Sequence, residues 1–205
     1  QVLGYSFSAT DKTLRGVAHQ ISDYIFTHIT GLPGAFSTRI AYVTLNRDKK
    51  SYSARLQVSD TDGYNPQTLL TSDQPIMSPA WSPDGSELAY VSFESGQAEI
   101  FTHNILTGVR KSRSKFNGLN GSPAWSPDGK KLAMTLSKDG NPDIYVLNLS
   151  DNKLKRITNH WSIDTEAAWL PDSKSIIYTS SRSGKPQLYM QSISASAKPE
   201  RLTYE

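Results

Sequence analysis

The sequence predicts a mainly β chain: a β-propeller of about four blades, preceded by the last strand and helix of an α/β domain. Three observations carry this. The phrase Ser78-Pro79-Ala80-Trp81-Ser82-Pro83-Asp84-Gly85 recurs unchanged from Ser122 to Gly129, and in a worn form from Glu166 to Ser173. Its tryptophans, Trp81, Trp125 and Trp169, stand 44 residues apart both times. Short apolar runs bounded by turn residues recur at the same spacing, and a four-stranded repeat of about 40–45 residues is the signature of a propeller blade. A β-sandwich would not reproduce its strand spacing so closely.

Val2 to Ser8 alternates weakly and is expected as a strand. A helix follows, because Leu14, Val17, Ala18, Ile21, Tyr24, Ile25 and Ile29 fall at three- and four-residue steps on one face. Thr10 or Asp11 is placed to cap its start, and Gly31 with Pro33 beyond it ends it. Residues 1–34 are expected to be the C-terminal remnant of an α/β domain whose earlier part lies outside this chain.

From residue 35 the chain reads as blades over 35–72, 73–116, 117–160 and 161–205. Ile40 to Val43, Leu88 to Val91, Leu132 to Thr135 and Ile176 to Thr179 form one set of strands, and Leu56, Ile100, Ile144 and Leu188 mark a second. Thr68 to Thr71, Arg156-Ile157-Thr158 and Arg201-Leu202-Thr203 close the units. The first unit lacks the tryptophan phrase, and Phe36 stands in its place. Each unit is expected to hold about four strands. Proline fixes φ and Asp-Gly accepts the positive φ of a tight hairpin, so Pro-Asp-Gly is a turn. The repeated tryptophans are expected as wedges between neighbouring sheets. The chain reaches Glu205 as the fourth unit closes, which favours a larger ring of which this is a part.

Composition excludes some functions. Hydrophobic residues make up 37% of 205 and charged residues 20%, enough for a buried core. The net charge of +3 is scattered, so nothing points to nucleic acid. The basic run Arg110 to Lys115 reads as a solvated outer strand. There is no cysteine, hence no disulfide, thiolate metal site or cysteine nucleophile. No apolar run is long enough to insert in a membrane. No two of His19, His28, His103 and His160 have metal-ligand spacing, and His19 reads as a packing residue on the helix. No nucleophile elbow or phosphate-cradling glycine loop occurs. The repeated Asp84, Asp128 and Asp172 serve turns, and neither catalysis nor a cofactor is expected.

The loops ahead of each tryptophan strand vary while the strand repeats. They are Gln74-Pro75-Ile76-Met77, Gly118-Leu119-Asn120-Gly121 and Ser162-Ile163-Asp164-Thr165. Two readings fit: inter-blade connectors with solvated tips, or a binding face made of varied tips on a constant scaffold.

Three stretches bear on the choice. One is the junction Ala18 to Asp23 with Leu32-Pro33-Gly34-Ala35-Phe36-Ser37-Thr38-Arg39-Ile40-Ala41-Tyr42-Val43. The others are Val58 to Asn65, and Met77 to Gly85 with Ala89 to Gly96. Here the chain resembles the TolB family of periplasmic propeller proteins of the Tol–Pal envelope system. The resemblance implies an N-terminal α/β domain and a six-bladed propeller, with most of the first domain and about two blades outside this chain. It implies a non-enzymatic periplasmic protein supporting outer-membrane integrity and division. Its propeller would bind the peptidoglycan-associated lipoprotein Pal, and in some bacteria colicins. TolA would bind through an N-terminal region without counterpart here. Carried over by motif, the Pal-binding residues are Met77, Ser78, Leu119, Asn120, Gly121, Ser122, Asp164, Thr165 and Glu166. Leu119 departs from the pattern, since some members carry histidine there. A different class is the propeller domain of a prolyl-oligopeptidase-like serine peptidase, which uses similar blades. A calcium- or sugar-binding propeller is a third, weaker one.

Overall fold

The computed structural model describes residues 4–48, 51–194 and 197–204. The apolar periodicity yields helix α1 (Leu14–Thr30). Its start lies past both expected caps: Thr13 takes the N-cap position without a side-chain cap bond. The turn before it supplies the bonds, with the carbonyl of Thr10 accepting from the N–H groups of Thr13 and Leu14 at 2.9 and 2.8 Å. Gly31 ends the helix as expected, at φ 73° and with its N–H on the Thr27 carbonyl. The strand expected over Val2–Ser8 is not seen. Val2 and Leu3 lie outside the described residues, and Gly4 to Ser8 form no strand. A strand needs a neighbour for its backbone groups, and among the described residues none pairs there. The Tyr5 and Phe7 rings instead lie 5.1 and 5.7 Å from Tyr24.

The chain divides into two compact units, residues 1–42 with 57–68, and 43–56 with 69–204. In the first, Arg15 pairs with Asp62 and lies 4.1 Å over the Tyr64 ring. His19 Nε2 sits 3.4 Å from the same Asp62. Asp23 accepts the backbone N–H groups of Phe36 and Ser37 at 2.7 and 3.0 Å, and the Ser37 hydroxyl. That hydroxyl, with the two N–H groups, holds the Asp23 carboxyl below the usual carboxylate range. Gly34 passes so close to Asp23 that a Cβ would overlap it. Phe36 lies in a turn rather than in a strand like the repeated tryptophans, and it meets Phe26 edge to face at 6.0 Å.

Four antiparallel sheets follow. The first, β1 (Arg39–Asp48), β2 (Ser51–Asp60) and β3 (Gln67–Ser72), has three strands rather than about four. The reason is the same: Phe36 and Ser37 bond to Asp23, not to a strand. The second sheet runs β4 (Ile76–Trp81), β5 (Glu87–Ser92), β6 (Glu99–Asn104), β7 (Arg110–Ser114). The third runs β8 (Asn120–Trp125), β9 (Lys131–Leu136), β10 (Asp143–Asn148), β11 (Leu154–Arg156). The fourth runs β12 (Asp164–Trp169), β13 (Ser175–Ser180), β14 (Gln187–Ser192), β15 (Glu200–Arg201). These are blades of a propeller.

In the second unit the core lies between successive sheets. Ala89, Val91 and Ile100 pack with Leu132, Met134 and Tyr145. Ala133, Ile144 and Val146 pack with Ile176, Tyr178 and Tyr189. Side chains alternate across a strand, so Leu132 and Met134 face back while Ala133 faces forward. That is why the middle strands read as unbroken apolar runs. Trp125 Nε1 donates to the Ala80 carbonyl at 3.2 Å, and Trp169 Nε1 to the Ala124 carbonyl at 3.0 Å. Each wedge is thus also pinned to the sheet before it.

The closing Arg-x-Thr has a local cause. Thr158 Oγ1 donates to buried Asp143 and accepts from the Ile144 N–H at 2.9 Å. Thr203 Oγ1 likewise donates to Gln187 and accepts from the Leu188 N–H. The basic run is an outer strand, with Arg110 on Glu94 at 2.6 Å and Lys115 on Glu99 at 3.4 Å.

Candidate functional site

Each complete blade begins with a strand that carries the tryptophan phrase, and each such strand has two ends. At the far end sits the Pro-Asp-Gly turn. Asp84 accepts from the Ser82 hydroxyl at 2.6 Å, the Ser86 N–H and the Ser86 hydroxyl. Led by the Ser82 hydroxyl, these bonds hold its pKa down to about 2. Partial burial works the other way on Asp128, yet the Ser126 hydroxyl and the Lys131 ammonium bring it too to about 2. Asp172 repeats the pattern with the Lys174 and Ser175 N–H groups and the Ser175 hydroxyl. All three carboxylates are consumed by their own turns. Among the described residues no acidic or histidine cluster suits a metal ion.

At the near end the three loops are built alike. The N–H of Phe93 donates to the Pro75 carbonyl, that of Ser137 to Leu119, and that of Ser181 to Ile163. Each loop therefore leans on the next hairpin of its own blade. Just inside, each strand bulges. The register slips between Met77 and Ala80, between Gly121 and Ala124, and between Thr165 and Ala168. The bulge residues Ser78, Ser122 and Glu166 have φ of 52°, 48° and 57°. A non-glycine residue in that left-handed region is uncommon, and held strain clusters at functional positions. The bulge turns a peptide out of the ladder, and the Glu166 N–H reaches Thr135 Oγ1 at 3.3 Å.

The predicted site residues separate into two groups. Met77, Ser78, Leu119 and Glu166 are exposed, and Ser122 and Thr165 are half-buried. Asn120, Gly121 and Asp164 are buried. Asn120 Oδ1 accepts from the Ser114 hydroxyl and the Phe116 N–H, while its Nδ2 donates to the Phe116 carbonyl at 2.7 Å. It clamps its loop from within. Asp164 is fully buried and paired with Arg182 at 2.7 Å. Gly121 lies within the β8–β9 pairing, opposite Thr135.

Sequence reasoning missed Trp161. It is 79% exposed, beside Ile163 at 53%. The available signal was its position: of the four tryptophans it alone stands outside the 44-residue spacing.

The family model of the TolB beta propeller domain matches residues 26–205. The chain belongs to the TolB β-propeller family. The "Tol-Pal system protein TolB" of Xylella fastidiosa is 49% identical over 122 residues, which is 60% of this chain and 28% of that protein. TolB from Acinetobacter baumannii superposes with a TM-score of 0.91 at 44% identity, over 100% of this chain and 51% of that one. The chain thus spans about half of that TolB and less of the curated relatives. A puromycin-hydrolysing peptidase of Mycobacterium tuberculosis, 15% identical with a TM-score of 0.63 over 80% of this chain and 27% of its own, shares the fold alone. No described helix is long and apolar enough to cross a membrane.

Proposed function

We propose that this chain is the propeller part of a periplasmic, non-enzymatic Tol–Pal component that binds the lipoprotein Pal through the loops ahead of its tryptophan strands. The observation that carries the reading is the left-handed bulge repeated at Ser78, Ser122 and Glu166. One strained geometry, held in all three inner strands, offers exposed and half-buried residues at one end of each blade. Met77, Ser78, Leu119, Ser122, Thr165 and Glu166 form the contact, and Asn120, Gly121 and Asp164 hold the loops that present it. Residues 1–34 would be the end of the N-terminal domain, and TolA would bind a region outside this chain. The role follows: a link between lipoprotein, peptidoglycan and outer membrane that supports envelope integrity and division, and that colicins can exploit. The relatives' name supports this over the peptidase reading, which rests on shared blade architecture.

Hydrogen exchange with and without purified Pal tests it. Protection is expected over 76–79, 118–123 and 161–167. The Pro-Asp-Gly turns lie at the other end of strands about 20 Å long and should exchange unchanged. Protection confined to those turns would overturn the reading.

A further inference from the structure

We propose that Trp161 is the energetic anchor of this surface, inserted into an apolar recess of the protein partner. The inference rests on the reading above, since Trp161 leads along the chain into Ile163, Thr165 and Glu166.

An indole left 79% exposed is costly to hydrate, and this one is covered by no described part of the chain. It is nonetheless held. Asn141 Nδ2 donates to the carbonyls of His160 and Ser162 at 2.7 and 2.8 Å, clamping the backbone on both sides of Trp161. The Ser162 N–H donates to His160 Nδ1 at 3.1 Å, and the Asp164 N–H to the Pro142 carbonyl at 3.0 Å. The His160 ring lies 5.2 Å from the indole at 35°. A large, amphipathic side chain on a fixed backbone loses little freedom when it binds. Tryptophan is also among the residue types enriched in the side chains that dominate protein interfaces. Ile163, 53% exposed, extends the apolar contact toward the bulge at Glu166.

The other three tryptophans are half-buried, so Trp161 is the one whose surroundings change on binding. Pal is titrated into the wild-type protein and into W161F, W161A and T165R, with fluorescence and calorimetry recorded together. Expected are a blue shift of emission in wild type that is lost in W161F, and about 30-fold weaker binding by W161A (about 2 kcal/mol) at an unchanged melting temperature. If T165R weakens binding while W161A binds like wild type without a Trp161 signal, the anchor is disproved and the binding face stands. If neither T165R nor W161A weakens binding, the face itself is disproved.

Discussion

At residue scale, the informative feature is the left-handed serine. Ser78 has φ 52° and is exposed, so its side chain is free to vary while its backbone is not. A β-branched side chain is poorly tolerated in that region, whereas glycine is not penalised there. Ser78→Val is expected to lower stability by about 1–2 kcal/mol, and Ser78→Gly to stay within about 0.5 kcal/mol of wild type because relief of strain and unfolded-state entropy oppose each other. Urea unfolding midpoints of the two variants measure this, and equal midpoints would remove the strain argument. None of this was legible in the sequence. Ser-Pro at 78–79 and 122–123 gives way to Glu-Ala at 166–167, yet the bulge persists. The geometry is imposed by the blade, not by a turn-forming residue.

At element scale, the repeat made most strands legible because both faces of a blade are buried and the turns carry their own chemistry. The exceptions all involve side-chain hydrogen bonds or ion pairs. The first unit has three strands because Asp23, distant in sequence, takes the N–H groups of Phe36 and Ser37. Asn120 and Asp164, read as contact residues, are buried because their side chains bond inward: to Ser114 and Phe116 for one, to Arg182 for the other. The repeat spacing shows which strands recur but not which side chains bond, whether 4 residues apart or 18. The tryptophan wedge was legible as packing, but its hydrogen bond was not. Trp125→Phe keeps the aromatic body and leaves the Ala80 carbonyl without its 3.2 Å donor. A loss of about 1–3 kcal/mol is expected, against about 3–5 kcal/mol for Trp125→Ala. Thermal unfolding of the pair checks the ratio; equal losses would mean that the bond, not the wedge, carries the contribution.

At the scale of the whole molecule, a constant stack of sheets carries variable ends. Ile100 and Ile144 are fully buried between sheets, while Leu188, at the same place in the fourth, is 42% exposed. That face of the fourth sheet is thus more open than its counterparts in the second and third, and the proposed contact lies instead at the loop end. In the sequence the varied tips made the loop end a candidate, whereas its most exposed aromatic residue, Trp161, lies outside the repeated phrase. The central claim is that recognition resides at this end of the blades. Calorimetric titration of Pal into the wild type, Thr165→Arg and Glu166→Ala tests it most directly. The account predicts at least about 10-fold weaker binding in both variants (about 1.4 kcal/mol or more) with melting temperatures unchanged; wild-type affinity in both would contradict it.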